Sequence, residues 1–205
     1  TIIPFNKPYL GGKELRNISQ AHARGQFSGV GIFTEQCQEW LEDRIGCRRA
    51  MLTHSCTAAL EMAAILVDIQ PGDEVIMPSY TFVSTANAFV FRGGLPVFVD
   101  IREDTLNIDE ARIENAITEK TKLIFAVNLL GNSVDYHRLL EIADKNNLHV
   151  IEDNCESLGA KKHICYYANR GREIPLLSIA CFDAGRDSNR SVSFNRTYEK
   201  SSGCY

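Results

Sequence analysis

The sequence predicts an α/β fold with a largely parallel sheet, on three observations. Short β-rich runs alternate with amphipathic stretches from about residue 48 to 153. Breakers such as Gln70-Pro71-Gly72-Asp73 separate them, and this alternation is the signature of strands connected by helical crossovers. The composition, 44% hydrophobic and 23% charged over 205 residues, is enough to bury a substantial core.

Taken in chain order, Glu14–Arg24 and Phe33–Ile45 read as helices. In the second, Phe33, Cys37, Trp40, Leu41 and Ile45 recur at helical spacing, which predicts one buried stripe with Trp40 packed in the core. Candidate strands follow at Ala50–Thr53, Glu74–Met77, Leu95–Asp100, Leu123–Asn128 and His149–Glu152. Helical patterns lie between them near Thr57–Val67, Ser84–Phe91, Asp109–Ile117 and Tyr136–Lys145. Five strands with four crossovers make a doubly wound domain. From about Lys161 the periodicity stops, and polar stretches such as Ala184-Gly185-Arg186-Asp187-Ser188-Asn189-Arg190-Ser191 predict loop or disorder. The expected organisation is therefore residues 1–160 as one layered domain and residues 161–205 as an atypical tail. A frameshifted or truncated end would produce such a loss of pattern, and the absent initiator Met also suggests a fragment.

Several function classes are disfavoured. A net charge of −4 and a pI near 5.8 argue against a nucleic-acid partner, which calls for a basic face. No apolar run reaches bilayer-spanning length, and Thr1-Ile2-Ile3-Pro4-Phe5-Asn6 has neither the basic flank nor the apolar core of a signal peptide. A cytoplasmic location and no membrane partner are expected. The seven cysteines are scattered and never form a C-x-x-C pair, which predicts reduced thiols rather than disulfides or structural zinc. His163, Cys165 and Cys181 lack a convincing second pair of ligands, so no metal is expected. Neither G-x-x-x-x-G-K-[ST] nor G-x-G-x-x-G follows the first strand, which disfavours nucleotide-triphosphate and dinucleotide sites.

In open α/β sheets, ligands collect where strands end and helices begin. The first such place is Thr53-His54-Ser55-Cys56-Thr57-Ala58-Ala59-Leu60, whose backbone amides and hydroxyls suit a phosphate dianion, although Ser and Thr there also serve as ordinary helix caps. His54 has no orienting partner in the sequence and reads as structural. The second is Met77-Pro78-Ser79-Tyr80-Thr81-Phe82-Val83-Ser84, which places Phe82 where it would either stack on a planar heterocycle or enter the core. At the third, Val150-Ile151-Glu152-Asp153-Asn154-Cys155-Glu156, carboxylates end an apolar strand. There a carboxylate would bind a metal, cap the next segment or pair with a protonated ring nitrogen.

Together with Pro4-Phe5-Asn6-Lys7-Pro8 and Pro71-Gly72-Asp73-Glu74-Val75-Ile76, these motifs over about residues 1–160 resemble the DegT/DnrJ/EryC1/StrS sugar aminotransferases. The region through Asn107 is especially similar to transaminases of nucleotide-linked 4-keto-6-deoxyhexoses. The resemblance implies the large domain of a type I pyridoxal-phosphate-dependent aminotransferase, a mostly parallel sheet flanked by helices, with its C-terminal part incomplete here. It implies that Cys56 and Thr57 hold the phosphate of pyridoxal 5'-phosphate and that Phe82 stacks on the pyridine ring. Asp153 would face the ring nitrogen, favouring its protonated form and so its capacity to accept electrons. Glu156 falls where many relatives carry Gln or His near the phenolic oxygen, a place where an anion is unfavourable unless protonated or turned away.

The same resemblance implies a nucleotide-sugar substrate, an amino-acid donor such as glutamate, and a homodimer. It also requires a Schiff-base lysine soon after the Asp segment, and that lysine is not found. Aligning Ala180-Cys181-Phe182 with the family's strand puts Ser188 at its position; Lys161 and Lys162 come too early, and Lys200 lies in unpatterned sequence. The catalytic residue is thus unknown, and this chain is expected to be a truncated inactive form of its parent. Two alternatives stand beside transamination. Glu152-Asp153-Asn154-Cys155 also resembles pyridoxamine-phosphate-dependent sugar dehydrases, which replace the lysine with His, and a non-catalytic degenerate homologue would keep only the sheet.

Overall fold

The computed structural model describes residues 10–25, 27, 29–45, 49–158, 176–183 and 189–196, the last two segments by their backbone. The elements are α1 (Glu14–Ala23), α2 (Ile32–Ile45), β1 (Arg49–Thr53), α3 (Cys56–Leu66), β2 (Glu74–Pro78), α4 (Val83–Val90), β3 (Leu95–Val99), α5 (Glu110–Ala116), β4 (Thr121–Val127), α6 (Tyr136–Asn146), β5 (His149–Asn154), β6 (Leu176–Asp183) and β7 (Asn189–Arg196). The strands and helices expected through β5 all form, with small displacements at their ends.

Local chemistry sets the helix boundaries. Ser55 Oγ accepts from Ala58 N at 3.1 Å to start α3. Asp109 Oδ1 accepts from Ala111 N at 3.0 Å before α5, and Asp135 Oδ1 accepts from Arg138 N at 3.3 Å before α6. Each satisfies a backbone donor that the first helical turn leaves open. After α4, Gly93 turns the chain with φ +83°, and a Cβ there would lie 2.9 Å from Pro71 Cα. Only glycine allows the turns that precede β2 and β3 to approach so closely.

The sheet order is β1-β7-β6-β5-β4-β2-β3. Neighbours from β3 through β6 pair in parallel, whereas β7 runs antiparallel to both β6 and β1. Two antiparallel steps return β1 to the direction of β6, so the carboxyl ends of β1, β2 and β5 share one edge of the sheet. The strands β6 and β7 correct the sequence expectation for their part of the tail, which was loop or disorder. Leu176-Leu177-Ser178-Ile179-Ala180-Cys181-Phe182 is a short apolar run, and the antiparallel return needs no crossover helix, so the helix–strand rhythm sought in the sequence is absent although the strands are present. Residues 159–175, 184–188 and 197–205 lie outside the described residues, and with them the expected boundary at residue 160.

The core is split by the sheet. On one face Val75, Met77, Leu123, Phe125 and Ile151 pack under α3 and α4 with Leu60, Ala63 and Phe89. On the other, Ile76, Ile124, Ala126 and Val150 pack under α5 and α6 with Ile113, Leu139 and Ile142. The period-2 alternation of side chains along β2, β4 and β5 produces this division, as expected for a sheet covered on both faces. The stripe predicted along α2 is corrected at two positions: Leu41 is buried and Phe33 half-buried, but Cys37 is exposed and Trp40 is 55% exposed, while the Ile45 side chain lies outside the described residues. The helix lies against the edge strand β1 and buries a narrower face than a helix held between layers.

Candidate functional site

Asp153 owes its position to strand alternation. On β5, Val150 faces α5 and α6 and Ile151 faces α3 and α4, so Asp153 shares the face of Ile151 and points toward α3. It is 6% exposed. One carboxylate oxygen accepts from Cys155 N at 2.9 Å, and the other has no hydrogen-bond donor among the described residues. Burial pushes its pKa up to about 6, the bond from Cys155 N opposes the rise, and the carboxylates of Glu156 and Glu152 add to it. A buried carboxylate with a vacant acceptor calls for a donor, above all a cationic one.

Opposite it stands the start of α3. The backbone N–H groups of Cys56 and Thr57 have no acceptor among the described residues, and Thr57 is exposed. Free amides at a helix N-terminus suit an anion. Ser55 is the helix cap, so the ordinary reading of that hydroxyl holds.

The sulfurs of Cys56 and Cys155 are in contact, with Cα atoms 7.0 Å apart. The contact makes this pair able to form a disulfide, where the sequence pattern points to isolated thiols. Their sequence separation of 99 residues hid a contact made only when α3 folds over the sheet toward the end of β5. Their two sulfurs and an Asp153 oxygen lie within 4.8 Å of one another. The structure thus brings together Cys56, Asp153 and Cys155, the last of which stood in the third strand-end motif without a role of its own.

Phe82 and Glu156 stand apart from this cluster. Phe82 is the cap residue of α4, 73% exposed, outside the core. Behind it Thr81 and Thr85 share a hydroxyl hydrogen bond of 3.0 Å, with Thr85 buried. Glu156 is exposed and turned toward the loop after β4, where its Oε2 accepts from Leu130 N at 2.7 Å. His54 is exposed.

Sequence inspection also missed Asn128. Its Nδ2 donates to Glu152 Oε1 at 2.9 Å and to Asn154 Oδ1 at 2.6 Å. Its Oδ1 accepts from Val134 N at 2.9 Å and from the Tyr136 hydroxyl at 3.2 Å, and its N–H donates to Asp153 O at 3.0 Å. This network fixes the end of β5 from the face opposite Asp153. A lone Asn after an apolar run was the available signal, and it resembles any loop residue.

A mostly parallel sheet covered by helices on both faces, with a buried acid and free helix amides at its carboxyl edge, is the architecture of the type I aminotransferase large domain. The comparisons agree. The description "DegT/DnrJ/EryC1/StrS aminotransferase family" matches residues 8–172. The spore coat polysaccharide biosynthesis protein SpsC of Bacillus subtilis is 38% identical over 151 residues, 74% of this chain and 39% of that protein. GDP-perosamine synthase of Caulobacter vibrioides is 38% identical over 153 residues, 75% of this chain and 41% of that protein. Among solved structures, NtdA of Bacillus subtilis with bound cofactor PMP superposes with a TM-score of 0.78 at 30% identity, covering 90% of this chain and 41% of that one. This chain belongs to the DegT/DnrJ/EryC1/StrS aminotransferase family, and it spans about two fifths of the length of these relatives.

Proposed function

We propose that these residues form the cofactor-binding part of a pyridoxal-phosphate-dependent aminotransferase acting on nucleotide-linked keto sugars, with an amino acid such as glutamate as donor. The observation that carries the proposal is the vacant acceptor on the buried Asp153, set opposite the free amides of α3. Related proteins named for sugar-polymer biosynthesis and GDP-perosamine synthesis support the substrate class.

The Cys56 and Thr57 amides would hold the phosphate through the helix dipole. Asp153 would accept from the pyridine nitrogen and hold a proton there, an arrangement that also relieves its own burial, since a cation beside it favours the charged carboxylate. Phe82 would close over the ring face once it is filled, replacing its present exposure to water. Glu156, kept on Leu130 N, stays clear of the phenolic oxygen. When bound, the cofactor supplies an electron sink for the bond broken at the donor's Cα. The family's lysine is not identified in this sequence, so the proposal concerns binding and orientation.

A homodimer and a cytoplasmic location belong to the same proposal. Residues 1–160 would form the cofactor-binding unit and 161–205 a tail of different character, of which β6 and β7 belong to the sheet. Equilibrium dialysis of the reduced chain against pyridoxamine phosphate tests the site. Saturable binding is expected, weakened at least tenfold by Asp153→Ala. Equal binding by the two proteins would remove Asp153 from the site.

A further inference from the structure

We propose that Cys56 and Cys155 are a reversible dithiol–disulfide couple whose oxidised form closes the cofactor site. The inference rests on the proposed cofactor reading. One sulfur belongs to the first residue of α3, whose amide would hold the phosphate; the other follows Asp153 by two residues. In the structure both sulfurs and the Asp153 oxygen sit within 4.8 Å of one another. A planar heterocycle hydrogen-bonded to Asp153 at about 2.9 Å and reaching from there to the α3 amides would pass through the space the sulfurs fill. The two occupants exclude each other, and breaking the bridge lets α3 and the end of β5 part.

The placement favours exchange. A thiol at the first position of a helix is stabilised as thiolate by the free amides and the dipole, which makes Cys56 the attacking sulfur. With a small-molecule disulfide such as glutathione disulfide as oxidant, the Cys56 thiolate attacks one sulfur and releases one glutathione thiolate. Cys155, losing its proton, then displaces the second glutathione from the mixed disulfide. Two protein thiols lose two electrons and two protons, and one glutathione disulfide gains them as two thiols. Because the linkage is reciprocal, bound cofactor must protect the pair from oxidation by the factor by which oxidation weakens binding.

The test uses the 205-residue chain. After treatment with glutathione disulfide or dithiothreitol, peptide mass mapping reports the Cys56–Cys155 cross-link and dialysis against pyridoxamine phosphate reports binding. The expected result is a cross-link only in the oxidised sample, binding at least tenfold weaker there, and a lower cross-linked fraction at redox equilibrium when pyridoxamine phosphate is present. Cys155→Ala, or Cys155→Ser should the first not fold, is expected to bind equally under both treatments. An effect persisting in that variant would arise elsewhere, for example at the exposed Cys37, and would overturn the inference. Failure to find the cross-link, or equal binding by oxidised and reduced wild type, would overturn it while leaving the cofactor reading intact. Absence of binding in both forms would overturn both.

Discussion

Burial raises the pKa of Asp153, so its charged form opposes folding. Its folded pKa of about 6, against an ordinary 3.8, means that the folded chain holds the proton more tightly than the unfolded chain does. The stability this group contributes is present in full below pH 3.8 and is lost as pH rises through about 6. The difference of some two pH units corresponds to about 3 kcal/mol. Asp153→Asn, which cannot ionise, should therefore be more stable than wild type at pH 8 by up to about 3 kcal/mol, with the two converging near pH 4. Urea unfolding of the reduced proteins at both pH values checks this; an unchanged difference would show that burial does not control the group. A buried carboxylate whose charged form costs stability and which a cationic donor would relieve fits a binding role.

At the scale of elements, Asn128 braces the end of β5 from the face opposite Asp153. Removing Asn128 takes the acceptor from the Val134 N–H and leaves the Tyr136 hydroxyl only the Glu152 carboxylate, which itself loses a donor. Because buried groups left unpaired cost about 1–3 kcal/mol each, Asn128→Ala should lower stability by about 2–4 kcal/mol, read as a fall in the urea midpoint at constant slope. The turn between α4 and β3 is constrained differently. Gly93→Ala forces a side chain into left-handed backbone and against Pro71, so a loss of about 2 kcal/mol is expected in the same assay. An effect below half of that would mean the turn can open without cost.

For the whole molecule, the balance of charge and exposed apolar surface governs behaviour in solution. No helix among the described residues is long and apolar enough to cross a membrane, yet Phe82, Phe91, Trp40 and Phe98 are all more than half exposed. The strand β3 forms one edge of the sheet, with Leu95 48% exposed and Phe98 55% exposed, and such an edge invites pairing between chains. With a pI near 5.8, repulsion between copies vanishes close to that pH. Light scattering should therefore peak near pH 5.8, and Phe98→Lys should reduce it; a scattering profile indifferent to pH would point away from association controlled by net charge.

The sequence alone determined the alternation of strand and helix through β5, the two-sided core, and the candidacy of Cys56 and Asp153. The first two follow from periodicity, a local property of the chain, and the third from the resemblance of the strand-end motifs to a known family. Glu156 could be recognised as a misfit beside a phenolic oxygen, but only the fold showed its carboxylate on Leu130 N. Tertiary structure likewise decided that β6 and β7 join β1 to the sheet, that Cys37 and Trp40 of α2 face outward, and that Asn128 braces β5 from behind. It also brought together two cysteines 99 residues apart. Each depends on which strand lies beside which, and that order is set by long-range pairing and by the path of α3 over the sheet, neither of which leaves a periodic mark in the sequence.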